Sequence, residues 1–120
     1  MKRERILIVE DDPVVVDLLT EILTASDFDV RAIDSAFGAA DLVRQLHPGA
    51  VLLDLGLPFR AGSSLLSDLK TDPRTADVPI IILSGLTEAL TDSRRALATA
   101  VVTKPFEAAF LLDTIRKAVS

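Results

Sequence analysis

The sequence has no cysteine, no tryptophan and no tyrosine, and only one methionine and one histidine in 120 residues. Without cysteine there is no disulfide scaffold, no thiolate zinc site and no thiol nucleophile. A single histidine, His47, excludes a histidine-rich metal centre. Five phenylalanines are the whole aromatic complement, too few for a platform that stacks single-stranded bases. Positive charge is also short: 13 Lys and Arg against 18 Asp and Glu leave a net charge of −5. Direct nucleic-acid binding is therefore not expected, because phosphate contacts need a basic face. No apolar run approaches the ~18–20 residues of a membrane span, and no signal-peptide pattern precedes the first apolar segment. A soluble, cytoplasmic chain with no membrane partner is expected. Apolar residues, at 49%, suffice for a core and exclude a disordered chain. The length fits one domain, taken as 1–120.

The apolar segments alternate between two patterns. Ile6-Leu7-Ile8-Val9, Ala50-Val51-Leu52-Leu53 and Ile80-Ile81-Ile82-Leu83 are short unbroken runs and read as strands buried on both faces. Val30–Ile33 and Ala100–Val102 are weaker and suit edge strands. Between them lie helical spacings. Val15, Leu18, Leu19 and Ile22 follow i, i+3, i+4, i+7, with Asp12 as N-cap and Pro13 at the first helical position. Ser35 is expected to cap a helix from Ala36 to Gln45, stopped by His47-Pro48-Gly49. Leu65, Leu66 and Leu69 mark a third helix. Thr87–Ala98 is helical but poorly patterned, and Phe110, Leu111, Thr114, Ile115 and Ala118 line the last. Five strands alternating with five helices imply a doubly wound α/β fold: a parallel sheet with helices on both faces and right-handed crossovers.

The polar residues that end the strands carry the chemistry. The first strand runs into Glu10-Asp11-Asp12, the next strong one ends at Asp54, the third at Ser84, and the last meets Lys104. Ligands of open parallel sheets bind beyond the carboxyl ends of the strands, so these groups converge on one rim. Each has a plain structural reading. Asp12 is a helix cap, Glu10 and Asp11 are solvated loop acids, Ser84 caps a turn and Lys104 is a surface charge. The cap reading holds for Asp12, which sits just before Pro13, and the coincidence of the others weakens theirs. Crowded carboxylates need a cation, and oxygen ligands with room for water suit Mg²⁺. An acidic pair, an acceptor carboxylate, a hydroxyl and an ammonium are the parts that move a phosphoryl group.

Other polar signals are weaker. His47 follows a helix rather than a strand, which places it off this rim. Arg94-Arg95 is too short for a nucleic-acid patch. Gly56 and Gly62 form no GxxxxGK[ST] loop, and Gly62 suits a tight turn or a positive φ.

On these residues the chain resembles the receiver domain of two-component response regulators. The resemblance runs from Ile6 to Val119. It rests on Ile6–Asp12, on Leu52-Leu53-Asp54-Leu55-Gly56-Leu57-Pro58 with Gly62, on Ile80–Gly85, and on Thr103-Lys104-Pro105-Phe106. It implies a flavodoxin-like strand order 2-1-3-4-5 in a three-layer sandwich. It implies Asp54 as phosphoacceptor, Asp11 as direct Mg²⁺ ligand, Glu10 as a ligand through water, and the Gly56 carbonyl as a further ligand. Ser84 matches the switch hydroxyl and Lys104 the lysine on the phosphoryl oxygens, with a cis Lys104-Pro105 bond aiming it into the site. Two positions depart from the family. Val101 stands where an aromatic is usual, and Leu97 where a glycine is usual. The segment from Ser84 to Val101 is also shorter than in common members. These changes leave the phosphorylation chemistry intact and bear on the output surface.

The implied role is a phosphorelay receiver. It would accept a phosphoryl group from a phosphohistidine of a histidine kinase or histidine phosphotransfer protein, then switch conformation toward an effector the sequence does not name. It would modify itself without a turnover substrate, and so would not be an enzyme in the usual sense. Three other functions are open to a fold of this class. A flavin module would need a phosphate-cradling loop after the first strand, where acids stand instead. An aspartyl-phosphate hydrolase would carry a second acid two residues after the nucleophile, where Gly56 stands. A degenerate receiver acting only as an interaction module remains the alternative.

Overall fold

The computed structural model describes residues 3–54, 61–85 and 97–120, with the side chains of 61–63 outside that set. The three apolar runs form the middle of one five-stranded parallel sheet of order β2-β1-β3-β4-β5. The strands are β1 (Arg5–Val9), β2 (Asp29–Ile33), β3 (Ala50–Asp54), β4 (Ile80–Ser84) and β5 (Ala100–Thr103). Every residue of β3 and β4 is buried, whereas β2 is half exposed. The unbroken apolar runs therefore occupy the centre and the mixed ones the edges, as a sheet covered on both faces requires.

The helices are α1 (Pro13–Ala25), α2 (Ala39–Leu46), α3 (Ala61–Thr71) and α4 (Ala108–Val119). Alternate strand residues feed two cores. Leu7, Val9, Val51, Leu53, Ile80 and Ile82 pack with Val43 of α2 and with Leu65, Leu66 and Leu69 of α3. On the other face Ile6, Ile8, Leu52, Ile81 and Leu83 pack with Leu19 and Leu23 of α1 and with Leu111 and Ile115 of α4. The result is the expected three-layer sandwich.

Several sequence expectations need correction. Four helices are present among the described residues rather than five, because the one expected over Thr87–Ala98 falls almost wholly outside them. Helix α2 begins at Ala39, not Ala36. Ser35 Oγ accepts from Phe37 N at 3.0 Å and closes a local turn instead of capping a helix. Gly38, at φ 80°, then redirects the chain into the helix. Leu18 and Phe110, counted as inward, are exposed. The buried stripes are Leu19/Leu23 and Leu111/Ile115, i, i+4 pairs turned one position around each helix. Gly62 lies within α3 rather than in a turn.

The end of α3 is held by side chains. The Leu69 carbonyl would ordinarily accept from the amide four residues on, but that residue is Pro73, which has none. Fully buried Thr75 donates its hydroxyl to Leu69 O at 2.7 Å instead. Asp72 accepts from Arg74 N at 2.9 Å and from the Arg44 and Arg74 guanidinium groups. These bonds, led by those from Arg74, hold its carboxyl down near 2. Lys70 Nζ donates to the Ala76 and Val78 carbonyls, and burial lowers its ammonium pKa. With α3 closed this way, the chain re-enters the sheet at Ile80.

Candidate functional site

The strand register brings the polar strand ends together. β1 pairs with β3 through Val9↔Leu53, and β3 with β4 through Asp54↔Leu83. β4 pairs with β5 through Ser84↔Thr103. Glu10, Asp54, Ser84 and Lys104 thus leave adjacent strands at the same edge of the sheet. The Lys104 amide donates to the Ser84 carbonyl at 2.7 Å, which continues the ladder one step past β5. The Lys104–Pro105 bond is cis, as the family resemblance implied.

Lys104 is the centre of the cluster. Its Nζ lies 3.3 Å from Glu10 Oε2 and 3.2 Å from Asp54 Oδ1, although Glu10 is 94 positions away in sequence. Glu10 is 1% exposed and Asp54 4%. One carboxylate oxygen from each of Glu10, Asp11 and Asp54 can be chosen so that all three lie within 4.8 Å of one another. Asp11 is the exposed member and gives the trio its opening to solvent. Oxygen-only donors at this spacing, open on one side to water, fit a hard cation such as Mg²⁺ rather than a softer metal.

Burial and neighbouring charge set the protonation of this cluster. Burial pushes the Glu10 carboxyl up to about 7, and its hydrogen bond with Asp54 and the charge of that carboxylate add to the rise. The Asp12 amide, which donates to Glu10 Oε1 at 3.2 Å, and the Lys104 charge oppose it. For Lys104, burial acts to lower the ammonium pKa. The charges of Asp54 and then Glu10 outweigh burial, so the net direction is upward. The lysine is held as a cation against two buried acids, an arrangement that stabilises developing negative charge on a ligand between them.

Asp12 behaves as the N-cap that its position predicted. Its Oδ1 accepts from Val14 N at 3.0 Å, with Pro13 opening α1. Its own amide is a part of the site that the sequence did not reveal, because the bond to Glu10 depends on how the loop folds back. Ser84 is buried and its hydroxyl donates to the Gly85 carbonyl at 3.2 Å. Gly56, expected to offer a carbonyl, and Arg94-Arg95 lie outside the described residues. His47 is far from this edge, as expected. It is exposed, ends α2 at φ 43°, and lies 3.5 Å from Asp77. It lines a cleft of about 660 Å³ with Arg5, Asp29 and Gly49. That cleft is where strands enter the sheet, and its Arg5–Asp29 pair at 3.0 Å is already satisfied.

The model of the response regulator receiver domain family matches residues 6–116. The chain belongs to that family. Relatives of this receiver domain include the DNA-binding dual master transcriptional regulator RpaA of Synechocystis sp., 37% identical over 93% of this chain and 47% of its own length. The DNA-binding response regulator MtrA of Mycolicibacterium smegmatis is 36% identical over 95% of this chain and 50% of its own. The receiver domain thus spans about half the length of these curated relatives. Among solved structures, a sensor protein from Polaromonas sp. JS666 superposes with a TM-score of 0.89 at 32% identity, covering 98% of this chain and 97% of that one. The receiver domain of sensor histidine kinase PA1611 from Pseudomonas aeruginosa superposes with a TM-score of 0.85 at 25% identity, covering 98% of each chain. Its structure has a magnesium ion coordinated in the active-site cleft. Among the described residues of this chain, no helix is long and apolar enough to cross a membrane.

Proposed function

We propose that this receiver domain accepts a phosphoryl group on Asp54 from a phosphohistidine of a partner kinase or phosphotransfer protein. The observation that carries the reading is the placement of Asp54. It is a nearly buried strand-end carboxylate with the Lys104 ammonium 3.2 Å away and the Glu10 and Asp11 carboxylates beside it. An Asp54 oxygen attacks phosphorus in line and a P–O bond forms. The P–N bond breaks, and its electron pair returns to the imidazole nitrogen of the donor. Lys104 neutralises charge on the transferred oxygens. Glu10, Asp11 and Asp54, with the Gly56 carbonyl, are the residues proposed to hold Mg²⁺, Glu10 through water. When bound, that ion supplies positive charge that offsets carboxylate repulsion and polarises the phosphoryl group.

Ser84, one strand over, is the hydroxyl proposed to exchange its Gly85 bond for a phosphoryl oxygen. That exchange biases a two-state element of the domain toward the signalling form. We propose no turnover substrate and a cytoplasmic site of action. The DNA-binding names of the longer relatives support a DNA-binding domain as the effector. The net charge of −5 argues against DNA contacts by the receiver itself. Incubation with acetyl phosphate and Mg²⁺ should add one phosphoryl group, read by intact mass, and Asp54→Asn should remove the addition. Equal labelling of the Asn variant overturns the acceptor assignment. No labelling of the wild type, with Mg²⁺ still bound, points to an interaction module instead.

A further inference from the structure

Strand β2 is the outer strand of the sheet, and Arg31 and Ala32 within it are exposed. Its backbone bonds decide which groups face outward. The Asp29 amide donates to the Glu4 carbonyl at 2.9 Å, and the Ile33 carbonyl accepts from the Glu10 amide at 3.1 Å. Alternation along the strand therefore turns the amides and carbonyls of Asp29, Arg31 and Ile33 toward β1, and those of Val30 and Ala32 toward the open edge. The side chains of Asp29 and Arg31 share one face of the sheet, and Val30 lies between them on the other. Asp29 Oδ2 accepts from Arg5 Nε at 3.0 Å, and its carboxylate has capacity for a second cation. Among the described residues, no ion pair of 4 Å or less engages Arg31.

A charge on an edge strand ordinarily keeps other strands away, and Arg31 alone would do so. Asp29, two positions earlier, changes the outcome in one register. A second copy brought to this edge by a two-fold axis runs antiparallel, so the charges decide where the axis falls. An axis at Arg31 sets guanidinium against guanidinium, and one at Asp29 sets carboxylate against carboxylate. An axis at Ala32 sets Arg31 against Ile33. An axis at Val30 places Asp29 of each copy opposite Arg31 of the other. Those two pairs occupy non-hydrogen-bonded positions, where facing side chains lie closest, while the two Val30 residues exchange their outward amides and carbonyls. Arg5, Asp29 and the Arg31 of the second copy then form a ladder of alternating charge across three strands.

We propose that β2 is a contact through which two copies of this chain pair edge to edge, antiparallel, with Asp29 of each opposite Arg31 of the other. The two sheets join into one continuous sheet. β2 runs toward the edge that carries Asp54, and its mate runs the opposite way. The two acceptor edges therefore point apart and both stay open, so the pairing needs no phosphorylation and goes beyond the phosphoacceptor reading. A strand of five residues makes a short contact, which places the pair among weak, concentration-dependent complexes.

Sedimentation equilibrium of the full chain from about 10 μM to about 1 mM covers the range of such pairs. The chain should form a dimer, less so as NaCl is raised. Arg31→Asp alone and Asp29→Arg alone should each weaken dimerisation at least about tenfold, because like charges then meet twice. An equimolar mixture of the two variants should pair within about fivefold of wild type, because each acid of one copy again faces a base of the other. Asp29→Arg also gives up the bond from Arg5, so urea unfolding checks that each variant is folded. Amide hydrogen exchange on the wild type needs no variant and decides the matter where one fails to fold. The Val30 amide should gain protection as concentration rises, and the Arg31 amide, already bonded to β1, should not change. A wild type that stays monomeric to about 1 mM overturns the proposal. So does a dimer that folded Arg31→Asp leaves intact, a mixture of folded variants that does not pair, or Val30 exchange that ignores concentration.

Discussion

The buried carboxyl of Glu10 makes the metal-free domain lose stability as pH rises. Its pKa moves from 4.5 to about 7 on folding, with burial as the largest cause. The folded state therefore keeps a proton that the unfolded chain releases. The stabilisation is full below 4.5, declines as pH rises through the interval, and is gone above about 7. At 1.36 kcal/mol per unit, that interval amounts to about 3 kcal/mol. Domains of this size are stable by about 5–15 kcal/mol, so the change is a large fraction of the whole. The depressed Asp72 carboxyl acts in the opposite sense, since its stabilisation is lost as pH falls. Its window lies below that of Glu10, between the ordinary aspartate value of 3.8 and about 2.

The measurement is urea unfolding in EDTA at about pH 5, 6, 7 and 8, beside the same series in saturating Mg²⁺. Glu10→Gln isolates the contribution, because the amide keeps the shape without a titrating proton. The wild type should fall by about 2–3 kcal/mol across the EDTA series and stay flatter in Mg²⁺, where a cation replaces the proton. The Gln variant should be flatter in EDTA and more stable than the wild type at the highest pH. Mg²⁺ affinity of the wild type should drop by up to about tenfold for each unit below 7. A wild type whose metal-free stability is level or rising from pH 5 to 8 refutes the reasoning. So does a Gln variant with the wild-type slope.

Asp12→Ala removes the cap on Val14 N and should cost about 0.5–2 kcal/mol by urea unfolding. Its Mg²⁺ affinity by calorimetry should stay within a few-fold of wild type, whereas Asp11→Ala should lose binding; the reverse pattern would exchange their roles. Thr75→Val leaves the Leu69 carbonyl without its hydroxyl donor and should destabilise by about 1–3 kcal/mol, with acetyl phosphate labelling retained. A Val variant as stable as wild type would mean that water or a backbone shift satisfies that carbonyl.

How far the sequence could be read depended on whether a feature was local. The three apolar runs announce buried strands because four consecutive large aliphatic side chains have no solvent face to offer. Asp12-Pro13 announces a helix start because both residues act on the turn they belong to. Strand-end placement of Glu10, Asp54, Ser84 and Lys104 follows from those runs, so the site's membership was legible once parallel order was inferred. Register errors arose where a segment offered two adjacent apolar choices. Leu18 and Leu19 both fit a helical stripe, and only packing on Ile6 and Ile8 decides for Leu19 and Leu23. Ser35 could cap a helix or close a turn, and Gly38 at φ 80° settles it by starting α2 later. The protonation of Glu10 was out of reach for a stronger reason. It depends on burial beneath the loop and on the distance to Asp54, neither of which is written in residues 10–12. The exposure of Leu18 is illegible in the same way, since an amphipathic count assigns it inward by spacing alone. In both cases tertiary context decides: burial turns an ordinary strand-end glutamate into a carboxyl whose proton would compete with a bound cation, and packing leaves one of two adjacent leucines facing solvent.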